Sequence, residues 1–267
     1  MIKISNVVMI YMAALTVTNM AYAESFKLRT QTGNEIGLSL STYKYQEPGL
    51  MSSKGAKLGL DVHGTEVLPT QYFISSDLLF SYGSVDYSSP ISGTASGEPD
   101  WYIEARVLVG KDWPLKNSVF SPYTGLGYRY LFNDARGISS TGSTGYRRES
   151  NYIYLPVGVV HRTTLNKLSK LVSTLEYDHL LEGKQASRLS DTGFLNDVSN
   201  TQSSGFGLKL SVIYENDNWA IGPFAHYWNI SKSNTMPVYF SDGTLAGTGV
   251  EPKNNTVEFG LRVSQHF

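Results

Sequence analysis

Ten separate stretches of strict two-residue alternation constrain this chain more than any other feature. Ile36, Leu38 and Leu40 share one face of a strand, while Gly37, Ser39 and Ser41 share the other. Leu58, Leu60 and Val62 alternate with Lys57, Gly59, Asp61 and His63. Tyr72, Ile74, Leu78, Phe80 and Tyr82 oppose Ser75, Asp77 and Ser81, and Trp101, Ile103, Ala105, Val107 and Val109 oppose Tyr102, Glu104 and Arg106. Six more strands are read at 122–132, 153–161, 171–179, 206–214, 219–230 and 257–267. In the ninth, Phe224 and Trp228 compete with Trp219, Ile221 and Tyr227, so its parity stays open. Several stretches exceed the strand length usual in soluble domains. Tyr72 and Tyr82, or Trp101 and Trp113, bracket strands at the spacing of two membrane interfaces.

Composition agrees. The chain has 267 residues, 18 of them Tyr and 25 Gly, yet its mean hydropathy is slightly negative at −0.20. A helical membrane protein would be strongly apolar; a barrel that is apolar outside and polar inside has this mixture. The expected fold is all-β, a closed antiparallel transmembrane β-barrel of about ten strands. With 22 basic and 23 acidic residues, no basic face is expected for nucleic acid. The absence of Cys removes disulfide scaffolds, thiolate metal sites and Cys nucleophiles. No cofactor, metal or catalytic residue is expected.

Residues 1–23 read as an export signal. Lys3 supplies the charge, 7–17 the apolar region, and Ala21-Tyr22-Ala23 the small-x-small site, with cleavage between Ala23 and Glu24. The stretch is too short and too broken for about 20 spanning residues. Residues 24–267 then form the barrel domain, in the outer membrane of a Gram-negative bacterium. Links 88–99, 133–146, 181–203 and 234–255 are long and rich in Gly, Ser and Asn, whereas 46–53 is shorter. Links 112–118, 163–167 and 215–218 are tight. Short periplasmic turns with longer outer loops place both ends of the mature chain in the periplasm.

The last strand carries Val257, Phe259, Leu261 and Val263 on one face, Gly260 between them, and a terminal Phe267. Phe259, Gly260, Leu261, Val263 and Phe267 resemble the terminal signal read by the barrel-assembly machinery; Gln265 departs from it. That machinery and periplasmic chaperones are the expected partners during biogenesis. The segments 99–106, 121–130 and 152–158 resemble a largely uncharacterised family of proteobacterial outer-membrane β-barrel proteins. The resemblance covers most of the mature chain and implies architecture without a reaction. The architecture is also similar to the ten-stranded omptin proteases, but their paired rim acids with a nearby His are absent. Asp178 and His179 are adjacent in a strand and point to opposite faces.

Turned inward, the polar face collects Asp61, His63, Asp77, Glu104, Arg106, Arg129, Glu176, Asp178, Lys209, His226, Glu258, Arg262 and His266. A ten-stranded lumen is little wider than its side chains, so a charge network of Asp77, Glu104, Arg106, Arg129, Glu176, Lys209, Glu258 and Arg262 is expected to pair as a plug. Arg147 and Arg148 end the third outer loop, where guanidinium groups can meet lipopolysaccharide phosphates. The function expected is non-enzymatic: an envelope structural or adhesin-like surface-binding protein, monomeric, in contact with outer-membrane lipid and lipopolysaccharide. A narrow porin is the alternative, and a rim-site hydrolase stands third. Deleting Phe267 should slow insertion and raise periplasmic degradation. Unchanged amounts of the variant in the outer-membrane fraction, measured by heat-modifiable migration on unboiled gels, would contradict the terminal signal.

Overall fold

A computed structural model describes residues 28–267; the export signal and the Ala23–Glu24 junction lie outside them. Among the described residues the strands in chain order are β1 (Gly33–Glu47), β2 (Met51–Val67), β3 (Tyr72–Ser89), β4 (Gly93–Lys111), β5 (Trp113–Pro114), β6 (Ser118–Asp134), β7 (Arg147–Asn166), β8 (Ser169–Ser187), β9 (Val198–Gln202), β10 (Gly205–Asn216), β11 (Trp219–Ile230), β12 (Thr235–Tyr239), β13 (Leu245–Val250) and β14 (Asn254–His266). Each long strand pairs antiparallel with its neighbour in sequence. β8 joins β10, β11 joins β14, and β14 returns to β1. The ring is therefore closed, ten strands around, and no barrel strand has a free edge.

The alternation sorts the side chains as expected. Leu38, Leu40, Leu58, Val107, Leu126, Leu210 and Leu261 are exposed on the outer face, while Ser41, Lys57, Glu104, Arg129, Glu176 and Glu258 are buried inside. Rings gather at two levels of the outer face. Trp101 packs on Tyr130 and Phe132, and Phe206 on Tyr177 and Tyr227, toward the loop end. Tyr72, Trp113, Phe120, Tyr214 and Trp219 lie toward the turn end. Tyr72 and Tyr82 are ten residues apart, about 25 Å once strand tilt is allowed for, which matches the apolar band of such barrels. The ninth parity is resolved: Phe224, His226 and Trp228 face inward, and Trp219 and Ile221 face lipid.

Several links differ from the sequence reading. Residues 88–99 form no loop; β3 and β4 continue to a turn at 90–92. Likewise β1 and β2 continue to a turn at 48–50, β8 runs on to Ser187, and β12 and β13 form a hairpin within 234–255. Beyond the apolar band both faces meet water, so the ladder persists after the alternation has stopped. Leu181 is an unmatched extra residue on β8, between Leu180 paired with Tyr154 and Glu182 paired with Ile153. It switches the inward set from Glu176, Asp178 and Leu180 to Gly183, Gln185 and Ser187.

Lumen packing rests on a repeated cross-strand device: a large side chain lies over a glycine directly opposite. Phe73 covers Gly110, Tyr154 covers Gly127, Tyr123 covers Gly158, Trp228 covers Gly207 and Phe224 covers Gly260. A Cβ added at Gly127 would sit 2.2 Å from the Tyr154 ring. Gly127→Leu should therefore cost about 1–3 kcal/mol by overpacking. It should lower the temperature at which the compact gel band is lost, whereas Ser76→Leu, on the lipid face, should not.

Candidate functional site

The lumen has two unlike halves. The central charges come from β3, β4, β6, β8 and β10, whose inward residues meet at mid-height. Arg106 pairs with Asp77 at 2.7 Å and Glu176 at 2.7 Å. Lys209 bonds Glu104 and lies 3.4 Å from Glu176 and 3.8 Å from Asp178. Arg129, 1% exposed, is 3.7 Å from Glu104 and has its guanidinium 4.1 Å from the Tyr102 ring centre. Ring faces thus hold Arg129 together with charge. Tyr123 donates to Glu176 at 2.6 Å, and Tyr102 and Ser41 donate to Glu258 at 2.8 and 2.7 Å.

Above this layer Tyr152, Tyr154, Leu180, Trp228 and Ile230 form a buried apolar cluster, with Lys57 beside it bonded to Asp100 and 3.8 Å from the Tyr43 ring centre. At the outer mouth Arg148 bridges Glu47 and Glu251 at 2.6 Å each. Glu251 lies above the membrane band, and burial pushes its carboxyl up against the pull of Arg148.

Below the central charges the lumen opens into a cavity of about 790 Å³ facing the turn end. One wall is polar: Arg262 holds Asp61 and, at 2.5 Å, Glu35, and His63 bonds Asp77. The opposite wall is apolar, built on Phe73, Leu108, Tyr123 and Val160. The cavity lining ends at Tyr102 and Glu104; Lys57, Arg129, Tyr152, Tyr154 and Trp228 take no part in it. A lid of charge and rings lies between the cavity and the outside.

Of the expected network, Asp77, Glu104, Arg106, Arg129, Glu176 and Lys209 are thus brought into one cluster. Glu258 joins through hydroxyls, and Arg262 belongs to a separate group nearer the turns. Glu35, Lys57, Asp100, Tyr102 and Tyr123 were not singled out as members; Lys57 and Tyr102 sit on polar faces already read as such, and that signal could have found them. Arg147 and Arg148 part company by parity. Arg147 pairs with Asp191 at 2.7 Å on the outer loops, and Arg148 turns into the mouth, its guanidinium held by two carboxylates instead of facing lipid. Asp178 is buried and His179 exposed, on opposite faces. Phe259, Leu261 and Val263 lie on the lipid face and Gly260 on the lumen face, while Phe267, just past the strand, is exposed at the mouth of the lower cavity. Among the described residues no group of three or more His, Asp or Glu could hold a metal ion.

No protein-family model matches the sequence, and no curated protein does. Solved structures do. The outer-membrane protease OmpT of Escherichia coli superposes with a TM-score of 0.56 at 9% identity, over 92% of this chain and 100% of that one. The translocator domain of the autotransporter NalP of Neisseria meningitidis gives 0.43 at 12% identity, over 89% and 90%. The fold is that of an outer-membrane β-barrel. Arg106→Ala would leave Asp77 and Glu176 without their shared partner in the lumen, a loss of about 3–5 kcal/mol. Denaturant titration of refolded protein in detergent should show it, with Arg106→Lys recovering part of the loss.

Proposed function

We propose that this protein is a non-conducting barrel of the Gram-negative outer membrane, non-enzymatic and monomeric, whose outer loops bind surfaces or ligands. The observation that carries the reading is the lid: Arg129, Tyr154 and Trp228, with Tyr102 at the cavity's upper limit, are each 3% exposed or less, and the cavity lining stops beneath them. A porin needs a continuous water path there. The outer loops offer contact area instead. Phe194 stacks on Phe240 at 5.7 Å, and Phe240, Leu195 and Leu245 are 49, 56 and 62% exposed, a solvent-facing apolar group suited to a partner.

OmpT is described as a protease, yet the rim of this barrel holds no imidazole among the described residues. His63, His226 and His266 line the lower cavity, and His161 and His179 face outward. A hydrolase stands second on one observation. Thr65 Oγ1 is 2.8 Å from His63 Nε2, whose ring bonds Asp77, the order of nucleophile, base and orienting acid. Thr65 is also bonded to Ser75 at 2.9 Å, and the backbone of β2 and β3 is spent in the sheet ladder, which leaves no donor pair for an oxyanion. Purified protein in planar bilayers should show no steady conductance, and replacing 231–253 by a short Gly-Ser turn should leave it closed. A stable ion-selective channel in the unaltered protein would overturn the reading in favour of a porin. Ester hydrolysis lost on Thr65→Ala would favour the hydrolase.

A further inference from the structure

The lipid-facing side of β1 and β2 carries an aliphatic panel. Its rungs pair aliphatic side chains directly across the hairpin: Ile36 with Val62, Leu38 with Leu60, Leu40 with Leu58. All six are exposed, from 39 to 68%. The next rung, Thr42 with Ala56, is small, and the one after sets Lys44 directly opposite Lys54. Tyr82 borders the panel on β3 beside Leu58, and Phe259 borders it on β14 beside Thr42.

Two ammonium groups facing each other across an antiparallel pair repel and destabilise the hairpin. Neither lysine has an ion pair or hydrogen bond among the described residues. Asp86, the next residue in the row beside Lys54, accepts a bond from the Gly97 N–H at 3.0 Å and forms no pair with it. The cations at the outer ends of β7 and β8 behave otherwise: Arg147, Arg148, Lys184 and Arg188 each hold a carboxylate. The lysine rung stands about 5 Å above the aromatic level marked by Tyr82, once tilt is allowed for, where acyl chains give way to head groups. The panel below is two strands wide, about 10 Å, enough for more than one acyl chain side by side.

We infer that the outer face of β1 and β2 holds a phosphorylated glycolipid of the lipid A class. Lys44 and Lys54 share one phosphate, which turns their repulsion into a clamp, and the acyl chains lie on the Leu, Ile and Val rungs. The inference rests on the outer-membrane orientation proposed above and is independent of what the loops bind.

The test uses the full mature barrel, refolded in detergent and passed into nanodiscs of lipid A, of lipid A stripped of its phosphates, or of phosphatidylglycerol. Lipid that stays bound in mild detergent is counted by native mass spectrometry. Intact lipid A should be retained by the unaltered protein, and the double variant Lys44→Ala, Lys54→Ala should retain at least tenfold less. Lys44→Arg, Lys54→Arg should keep it, and Asp86→Asn should not weaken it. Equal retention by the double Ala variant, or of the dephosphorylated lipid, overturns the clamp; equal retention of phosphatidylglycerol overturns the glycolipid assignment. Protease access in whole cells separates the premise from the site. Loops 135–146 and 188–197 cut from outside, with lipid retention unchanged by the double Ala variant, would reject the site alone. Cutting only after the outer membrane is opened would reject the orientation and the site with it.

Discussion

A ring of ten strands encloses a space only slightly wider than a side chain, and everything inside this protein follows from filling it. An aromatic ring laid flat across such a lumen wall needs room on the neighbouring strand. Glycine opposite a ring removes the clash, and it recurs where Phe73, Tyr123, Tyr154, Phe224 and Trp228 lie across Gly110, Gly158, Gly127, Gly260 and Gly207. Each ring, laid flat over its neighbour's backbone, reaches toward the axis. Tyr123 thereby delivers a hydroxyl to Glu176, and Tyr154 brings its ring to 5.4 Å from Lys209. The packing device and the charge cluster are one construction.

The charges inside do not make the barrel stable by themselves. Ion pairs removed from water give back little more than their desolvation, and their large effect appears when one partner is lost. What Arg106, Lys209, Glu104 and Glu176 supply is mutual dependence: strands β4, β8 and β10 must all be in register before any of the four is satisfied. A shift of one residue along β10 would carry Lys209 to the lipid face and leave two acids buried without it.

Alternation made most of this legible in advance, because a strand crossing lipid must be apolar on one side and the lumen is polar on the other. Legibility failed where that contrast failed. In β11 the inward Phe224 and Trp228 are as apolar as the outward Trp219 and Ile221, since Trp228 belongs to the aromatic lid and Phe224 lines the lower cavity. Above the band, residues 93–99 are small and polar on both sides, so strand and loop look alike. Arg147 and Arg148 are neighbours with one chemistry, and only the ladder says which points out. The lower cavity was hidden for another reason: its emptiness is a property of which opposing side chains fail to meet, and no single strand contains that information.

The closure proposed at mid-height would also divide the molecule by selective pressure. In the proposed orientation, residues beneath Tyr102 answer to the periplasm, and residues above Trp228 answer to whatever the cell meets. Under the non-conducting reading proposed above, the outer hairpins can be lengthened, exchanged or lost without harm to the permeability barrier. In a conducting barrel the same loops would border the pore, and each change would be screened for its effect on transport. A sealed barrel would instead leave its surface free to diversify on a scaffold that must stay fixed.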